Sequence, residues 1–287
     1  MGAVLGWGRS IVFSVLNSIA RVVVGLVLLL IVAGLILLAR GDGLPGSMVL
    51  SLDLRKAMAD TANGETGLLI PRDPTLLDLA LALEQARKDP RVKGVVLRLG
   101  DGAVSLAQAQ EIAPALARLR ADGKFVLAHA SNFMGAGLGD YVTAAAAEAV
   151  WMQPKGHFGT SGVGLGQVYL RGLLDKLEAE PQVAKRKEYK SAADMFMARG
   201  MDAASREQLT RIAQSAYDSG VGAIAASRKL PPQDVRAALD ASPQLAEEAQ
   251  TRKLIDRTGY EEELMAEALK RAGAGARETK IKEYVRS

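Results

Sequence analysis

The chain lacks cysteine, has only two histidines in 287 residues, and is poor in aromatic side chains, which make up 5%. Without cysteine it forms neither disulfides nor thiolate metal ligands, which fits a cell envelope. His129 and His157 lie far apart and outside any His-Glu-x-x-His pattern, so a zinc site is not expected. The scarcity of aromatics argues against a surface that stacks on nucleic-acid bases. We therefore expect no metal, no cofactor and no nucleic-acid partner.

A strong excess of one charge is also missing. The net charge is +4, and basic and acidic residues are interspersed apart from the short cluster Lys185-Arg186-Lys187. Such a mild imbalance does not indicate a polyanionic partner. Long repeats and low-complexity tracts are absent as well, so the chain reads as an ordinary globular domain of one large or two small units.

One long apolar run is present near the N-terminus. Val22–Ala39 contains 18 residues without a charge, and Arg21 and Arg40 bracket it. At ~1.5 Å rise per residue this length is just enough for a helix to cross a bilayer core. The alternative is a cleaved signal peptide, but its apolar core usually spans only ~7–15 residues. Ala39-Arg40-Gly41 is also a poor cleavage site, so we predict a retained transmembrane helix.

The flanking charges give the expected orientation. Arg9 and Arg21 precede the run, which favours a cytoplasmic segment at residues 1–21 and a transmembrane helix at 22–39. On this bias the main domain would lie on the outer side of the membrane, away from the cytoplasm. The Ala-Gly stretch that opens residues 273–287 indicates a flexible connector toward something that follows.

Residues 46–272 alternate strand and helix patterns, which predicts an α/β fold with a parallel sheet and helices packed on its faces. One helix is predicted to start at Asp73-Pro74 and to stop at Asp89-Pro90. The other predicted elements are strands at Met48–Leu54, Val92–Leu99, Lys124–Ala130, Ala149–Met152 and Gln182–Arg186, and helices at Leu106–Arg120, Tyr141–Ala147, Tyr169–Leu177, Ala203–Ser227, Pro232–Leu239 and Leu245–Leu254.

Two glycine-rich loops follow predicted strands. The first contains Gly135, Gly137 and Gly139, and the second contains Gly159 and Gly162. Both leave the carboxyl ends of strands, where ligands of parallel sheets bind, so we expect a site there. The second loop fits neither a Walker loop nor a dinucleotide fingerprint. It is either a tight turn or a backbone cradle for a peptide carbonyl or oxyanion.

Histidine and lysine are the possible bases. Ser131 follows His129 closely, but strand alternation alone does not make a Ser-His-Asp triad. Lys190 follows the predicted Gln182–Arg186 strand, and small residues come after it. It is either a solvated surface lysine or, if buried, a neutral amine able to deprotonate a serine.

The order of these features resembles the signal peptide peptidase A family, membrane-bound serine proteases with a Ser-Lys dyad and a crotonase-like fold. The similarity extends over essentially the whole chain. The segments that carry it are Gly159-Thr160-Ser161-Gly162-Val163-Gly164, Glu188-Tyr189-Lys190-Ser191-Ala192, Asp202-Ala203-Ala204-Ser205-Arg206-Glu207 and Lys253-Leu254-Ile255-Asp256-Arg257-Thr258-Gly259.

The resemblance implies that Lys190 is the general base, neutral in a dry pocket. The family's serine lies in an Ala-Ser-Gly-Gly-Tyr type stretch, which falls here on Gly137-Leu138-Gly139-Asp140-Tyr141, so Leu138 replaces the nucleophile. Long members of the family have two similar halves, the first giving the lysine and the second the serine. The chain resembles the first half. The resemblance thus implies a partner half, a homo-oligomeric ring, and leftover signal peptides or other membrane-released peptides as substrates. It also implies a bacterial-type inner membrane, with the main domain on the periplasmic side.

Other interpretations stay open. Ser131, Ser161 and Ser191 are fallback nucleophiles, although none lies at the family's position. The missing serine favours a catalytically inactive crotonase-like scaffold or binding protein on the membrane, whereas the intact Tyr-Lys-Ser segment argues against it. Acyl-CoA chemistry on the same fold lacks an evident carboxylate pair. The candidate oxyanion or substrate loop remains a choice among Gly135, Gly137, Gly159 and Gly162.

Overall fold

The structure, a computed structural model, describes residues 18–34, 43–61, 73–135, 137–160 and 162–286. The chain divides into two compact units. The first ends at Leu44, and the main unit covers Pro45–Arg286.

In the first unit, residues 18–34 are helical (α1). Their large apolar side chains are exposed, from Val27 at 48% to Leu29 at 67%. The predicted span runs on to residue 39, but residues 35–42 lie outside those described, as do residues 1–17. Within the described part of the chain, no helix combines the length and the apolar character that a membrane crossing requires. The transmembrane helix therefore stays a prediction.

The main unit alternates strands and helices, as predicted. Its strands are β1 (Met48–Asp53), β2 (Val92–Leu99), β3 (Phe125–Ala130), β4 (Ala149–Met152), β5 (His157–Phe158), β6 (Gln244–Leu245), β7 (Arg257–Thr258) and β8 (Arg277–Lys280). Its helices are α2 (Leu76–Lys88), α3 (Leu106–Ala121), α4 (Leu138–Ala145), α5 (Arg171–Lys176), α6 (Asp194–Met197), α7 (Ala203–Arg228), α8 (Pro232–Asp240), α9 (Ala246–Thr251), α10 (Glu261–Ala272) and α11 (Ile281–Tyr284), and a 3-10 turn covers Ser191–Ala193.

Six of the strands form one sheet in the order β7-β4-β3-β2-β1-β8. Every neighbouring pair in it is parallel. Strands β1 to β3 are buried almost throughout, which explains why their sequences are continuous apolar runs. Helix α10 covers one face through Leu264, Met265 and Ala268. Helix α3 packs on α2 and on α4, and α3 and α4 also contact the sheet. The predicted parallel α/β architecture is therefore confirmed.

Several predicted boundaries are confirmed, and the start of α2 is not. The strands Val92–Leu99 and Ala149–Met152 have the predicted limits. Helix α2, however, is capped by Thr75 rather than by Asp73. The Thr75 hydroxyl accepts a hydrogen bond from the backbone N–H of Asp78 at 3.2 Å, and the Asp78 carboxylate accepts one from the N–H of Thr75 at 3.0 Å. This reciprocal capping box gives hydrogen-bond acceptors to the backbone N–H groups of Thr75 and Asp78, which would otherwise have none at the start of the helix.

Two further predictions are wrong. Residues 182–186 form no strand, since they are mostly exposed and have no buried face to pair. Gly139 lies inside α4 rather than in a loop, because the helix begins already at Leu138 after the N-cap Gly137. The backbone of Val104 and Ser105 approaches Gly139 so closely that a Cβ there would overlap it. Within the expected connector at 273–287, β8 pairs with β1 and α11 buries Tyr284. That this segment leads to a second half stays a prediction.

Candidate active site

The two predicted glycine loops meet at the carboxyl edge of the sheet. The first follows β3 and the second follows β4, which pairs with β3. The backbone N–H of Phe133 donates to the carbonyl of His157 at 2.9 Å. Gly156 faces the carbonyl of Ser131, and Gly159 lies beside the side chain of Met134. Both loops therefore lie at this edge, and the site expected there stays a prediction.

The four candidate glycines occupy different environments within this region. Gly135 has a left-handed φ of +70° and Gly137 is the N-cap of α4; both face open space. Gly159 is held against the first loop by Met134. Gly162 instead approaches the ring of Tyr217 on α7 and lines a groove there. The structure thus brings three of the four glycines together and places the fourth in a groove along α7.

A backbone cradle that the sequence did not reveal lies beside α4. The loop after β2 points the N–H groups of Gly100, Gly102 and Val104 at the carboxylate of Asp140, at 3.1, 2.9 and 2.8 Å. Asp140 is fully buried. Burial raises its pKa above the usual value, while the three hydrogen bonds act in the opposite direction. This loop can cradle an anion, and the chain's own carboxylate fills it.

Leu138, at the position of the family's serine, is part of the core. It begins α4 and is 5% exposed. Its side chain lies against Gly220 of α7, so closely that a Cβ at Gly220 would overlap it. Position 138 therefore supplies a helix-packing contact instead of a nucleophile, and the glycine on α7 makes room for it.

The histidines and serines form no triad in the described residues. His129 is buried in β3, and its Nε2 lies 3.1 Å from the carbonyl oxygen of Gly259. Burial lowers its pKa. His157 and Ser131 are exposed, Ser191 is half-buried, and Ser161 lies outside the described residues. His129 is accordingly a satisfied core histidine.

Lys190 stands on an exposed loop that is fastened to α7. It precedes the Ser191–Ala193 turn, and its side chain is exposed in the single chain, so the burial expected for a neutral amine is not met within this chain alone. Next to it, the Tyr189 hydroxyl donates to Oε2 of Glu207 at 2.9 Å. That hydrogen bond raises the pKa of Tyr189. Position 190 is thus presented outward on an anchored segment.

The loop belongs to a larger exposed region, residues 162–200, which we name the arm. Within it only Asp194 is buried. Large apolar side chains are exposed along its whole length, although such side chains are normally covered in a folded chain. They are Leu165 at 45%, Val168 at 67%, Leu173 at 55%, Leu177 at 66%, Val183 at 47%, Phe196 at 40% and Met197 at 40%.

A groove of about 450 Å³ lies between the start of the arm and α7. Its apolar lining includes Leu165, Leu209, Ala213 and Tyr217, and it carries the charged residues Arg206 and Asp240. Among the described residues, the backbone of 162–169 forms no hydrogen bond with other backbone groups. The groove also contains Thr210 and Gln214, so its lining mixes polar and apolar side chains, and an unpaired backbone edge lies beside it.

The chain is similar to known proteases. The sequence profile of peptidase family S49 matches residues 118–275, more than half of the chain. Protease 4 of Haemophilus influenzae is 29% identical over 170 residues, which are 58% of this chain and 26% of that protein. The chloroplastic serine protease SPPA of Arabidopsis thaliana is 23% identical over 227 residues, 78% of this chain and 32% of that protein.

A solved structure of a membrane-bound stomatin-specific protease aligns with 82% of this chain and 99% of its own, with 8% identity and a TM-score of 0.44, a likeness too distant to bear on the fold. The chain spans only about a quarter to a third of the length of the two curated relatives above. The sequence matches define the class as serine-type peptidases. Within that class, the chain belongs to peptidase family S49, the signal peptide peptidase A family.

Proposed function

We propose that this chain is the lysine-bearing half of a membrane-anchored serine endopeptidase that degrades cleaved signal peptides. In this proposal Lys190 is the general base for a serine on a second repeat. One observation carries it. The Glu188–Ala192 segment of the family motif stands on the exposed, anchored arm, while position 138 holds a buried leucine. The proposed base is therefore accessible on this chain, whereas a buried packing side chain occupies the position of the nucleophile.

The arm is the proposed contact surface for that second half. Its exposed apolar side chains surround Lys190 in sequence, and covering them would remove water from the lysine as well. A lysine accepts a proton only as the neutral amine, and desolvation favours the neutral form. One contact would then bring the serine and create the dry pocket. Repetition of the contact between copies would give the ring that the family resemblance implies.

In this mechanism Lys190 Nζ takes the hydroxyl proton while the serine oxygen attacks the peptide carbonyl. The resulting ammonium returns the proton to the leaving amine, and an acyl-enzyme forms. Water, deprotonated by the same amine, then releases the acid and restores the serine. The oxyanion requires preorganised N–H donors. The Gly135 and Gly137 loop is the candidate on this chain, because Asp140 already takes the donors of Gly100, Gly102 and Val104.

The groove along α7 is the proposed substrate channel. Its apolar side chains, Leu165, Leu209 and Tyr217, can contact apolar residues of a peptide, and its polar side chains can bind the peptide backbone. The unpaired backbone of 162–169 offers an edge to which an extended peptide can add as a strand. Gly162 lies at this edge and allows a close approach. The finer fold type proposed is crotonase-like. The apolar stretch 22–39 is the proposed anchor, with the main unit on the periplasmic side.

A second candidate function is an inactive membrane scaffold of the same fold. The packing of Leu138 on Gly220 and the occupied cradle at Asp140 favour it, since both are arrangements without a catalytic use. Lys190 is required for activity in the first candidate function and has no catalytic role in the second.

The test co-expresses this chain with a second repeat of the family that carries the serine, and measures cleavage of a quenched fluorescent signal-peptide substrate. Lys190→Ala should lower kcat/KM by about 10³-fold or more, as expected for loss of the group that activates a nucleophile. Lys187→Ala is the matched control, a lysine on the same loop that should keep nearly full activity. Equal cleavage by Lys190→Ala and wild type would refute the base, and absence of cleavage by every assembled pair would favour the scaffold.

A further inference from the structure

One face of α7 forms a wall of the groove that lies beside the start of the arm. The side chains of α7 that line it follow helical spacings of three and four residues: Arg206, Leu209, Thr210, Ala213, Gln214 and Tyr217. At ~1.5 Å rise per residue, this row is about 16 Å long. A peptide in extended conformation, at ~3.3 Å per residue, covers the same length with about five residues. The groove therefore has the length of a short peptide segment.

One end of the groove carries a negative charge. Asp240, the last residue of α8, lines the groove beside Tyr217, whose hydroxyl lies 3.5 Å from Oδ1 of Asp240. Arg236, one turn earlier on α8, forms its ion pair with Asp218 at 2.6 Å. Asp240 itself forms no ion pair with any described residue. Because an acid at the C-terminal end of a helix also faces the negative pole of the helix dipole, a bound cation would be stabilised there.

The other end carries a positive charge, that of Arg206 near the start of α7. Within the described part of the chain, Arg206 has no ion-pair partner. Asp202, four residues earlier, accepts a hydrogen bond from the N–H of Ser205 at 2.7 Å, and Glu207 accepts one from the Tyr189 hydroxyl at 2.9 Å. The neighbouring acids are thus engaged, and the guanidinium is available to bind a carboxylate through two parallel hydrogen bonds.

Building on the proposed function, we propose that the groove binds a peptide of about five residues in a single direction, with its terminal carboxylate on Arg206 and a cationic group on Asp240. The cation is the α-ammonium of the peptide or the side chain of a lysine or arginine. Leu209 and Ala213 lie between the charged ends and contact apolar side chains of the peptide, while the backbone of 162–169 bonds to its main chain. A terminal carboxylate at this point exists only on a peptide that has already been cut, so Arg206 would select released peptides over internal segments of intact proteins.

The test is titration calorimetry of the full chain in detergent with a synthetic pentapeptide, leucine and alanine after an amino-terminal lysine. The peptide is supplied with a free terminal carboxylate and as the terminal amide. We expect wild type to bind the acid about five-fold more tightly than the amide, as for a partly exposed ion pair. Arg206→Gln should bind both forms with equal affinity, because it loses only the contact with the carboxylate.

Matched control variants lie on the same two helices. Arg211→Gln removes an exposed arginine of α7 that lies outside the groove, and it should keep the preference for the acid. At the other end, Asp240→Asn should abolish the preference for the lysine peptide over its acetylated, alanine-substituted form, whereas Asp234→Asn on α8 should keep it. A wild type that binds acid and amide equally, or an Arg206→Gln variant that still prefers the acid, would overturn the proposal.

The direction of the bound peptide is tested by photo-crosslinking. A benzophenone-bearing residue is placed next to the carboxyl end or next to the amino end of the same peptide, and the adducts are located by mass spectrometry. The carboxyl-end probe should label residues 201–210, and the amino-end probe should label the segments that contain Tyr217 and Asp240. The opposite pattern, or the same adducts from both probes, would contradict a single direction.

The binding experiments need no catalysis, so their failure and that of the proposed function can be told apart. A preference for the acid that depends on Arg206, together with normal cleavage by Lys190→Ala, supports the peptide site and refutes the base. An unchanged preference in Arg206→Gln, together with loss of cleavage in Lys190→Ala, refutes the role of Arg206 and leaves the base in place.

Discussion

At the scale of single residues, the side chains in the first turn of α4 serve packing and hydrogen bonding. The side chain of Leu138 packs against Gly220, and the carboxylate of Asp140 accepts the N–H donors of the loop after β2. The leucine was readable from the sequence. The cradle was not, because its hydrogen bonds join residues 36 to 40 positions apart. An acid inside an otherwise apolar helix was the one available signal.

Asp140 gives a prediction about pH. Its raised pKa means that the folded chain binds the proton more tightly than the unfolded chain, whose value is near 3.8. The stability that this proton contributes is complete below 3.8 and is lost as pH rises through the folded value. The free energy of unfolding of wild type, relative to Asp140→Asn, should therefore fall from pH 3 to pH 7 in urea titrations. A difference that grows with pH would show that the N–H donors outweigh burial.

The companion variant Asp140→Ala leaves the N–H groups of Gly100, Gly102 and Val104 without their acceptor. At about 1–3 kcal/mol for each unsatisfied buried group, we expect a loss of about 3 kcal/mol or more at pH 7. The matched control is the exposed Asp73→Ala, which should change stability by less than about 0.5 kcal/mol.

At the scale of elements, the sequence predicted those strands whose identity is set by their own composition. The run Val92–Leu99 is buried on both faces and reads as a strand without tertiary information. The two-residue strands β5, β6 and β7 escaped prediction, because their pairing depends on partners distant in the chain. The strand predicted at Gln182–Arg186 failed for the complementary reason: its apolar residues have no layer to pack against.

The C-terminal elements β8 and α11 also depend on partners distant in the chain, so the sequence did not predict them, and they can be tested. Tyr284 of α11 is 1% exposed, and its hydroxyl lies 3.3 Å from Oδ2 of Asp89. Tyr284→Ala should lower the free energy of unfolding by about 3–5 kcal/mol, as for other buried aromatics. The exposed Tyr260→Ala is the control. Equal, small effects of both variants in urea denaturation would mean that residues 277–284 are the loose connector that the sequence suggested.

At the scale of the whole molecule, the arm is the feature that a single chain does not explain. Its residues 162–200 expose many large apolar side chains and bury only Asp194, while the sheet beside it is densely packed. In the proposed function, a second half that covers the arm would also bury Lys190, so that assembly and formation of the active site would occur together. The resemblance implied a buried Lys190, whereas the described chain exposes it, because no other described layer of this chain covers residues 182–190.

The most direct measurement locates the nucleophile in the assembled enzyme. The complex of this chain with a serine-bearing second repeat is treated with a fluorophosphonate probe, and the modified peptide is identified by mass spectrometry. The account predicts an adduct on a serine of the second repeat, none on this chain, and its loss in Lys190→Ala but not in Lys187→Ala. An adduct on Ser131, Ser161 or Ser191, or labelling of this chain alone, would contradict it.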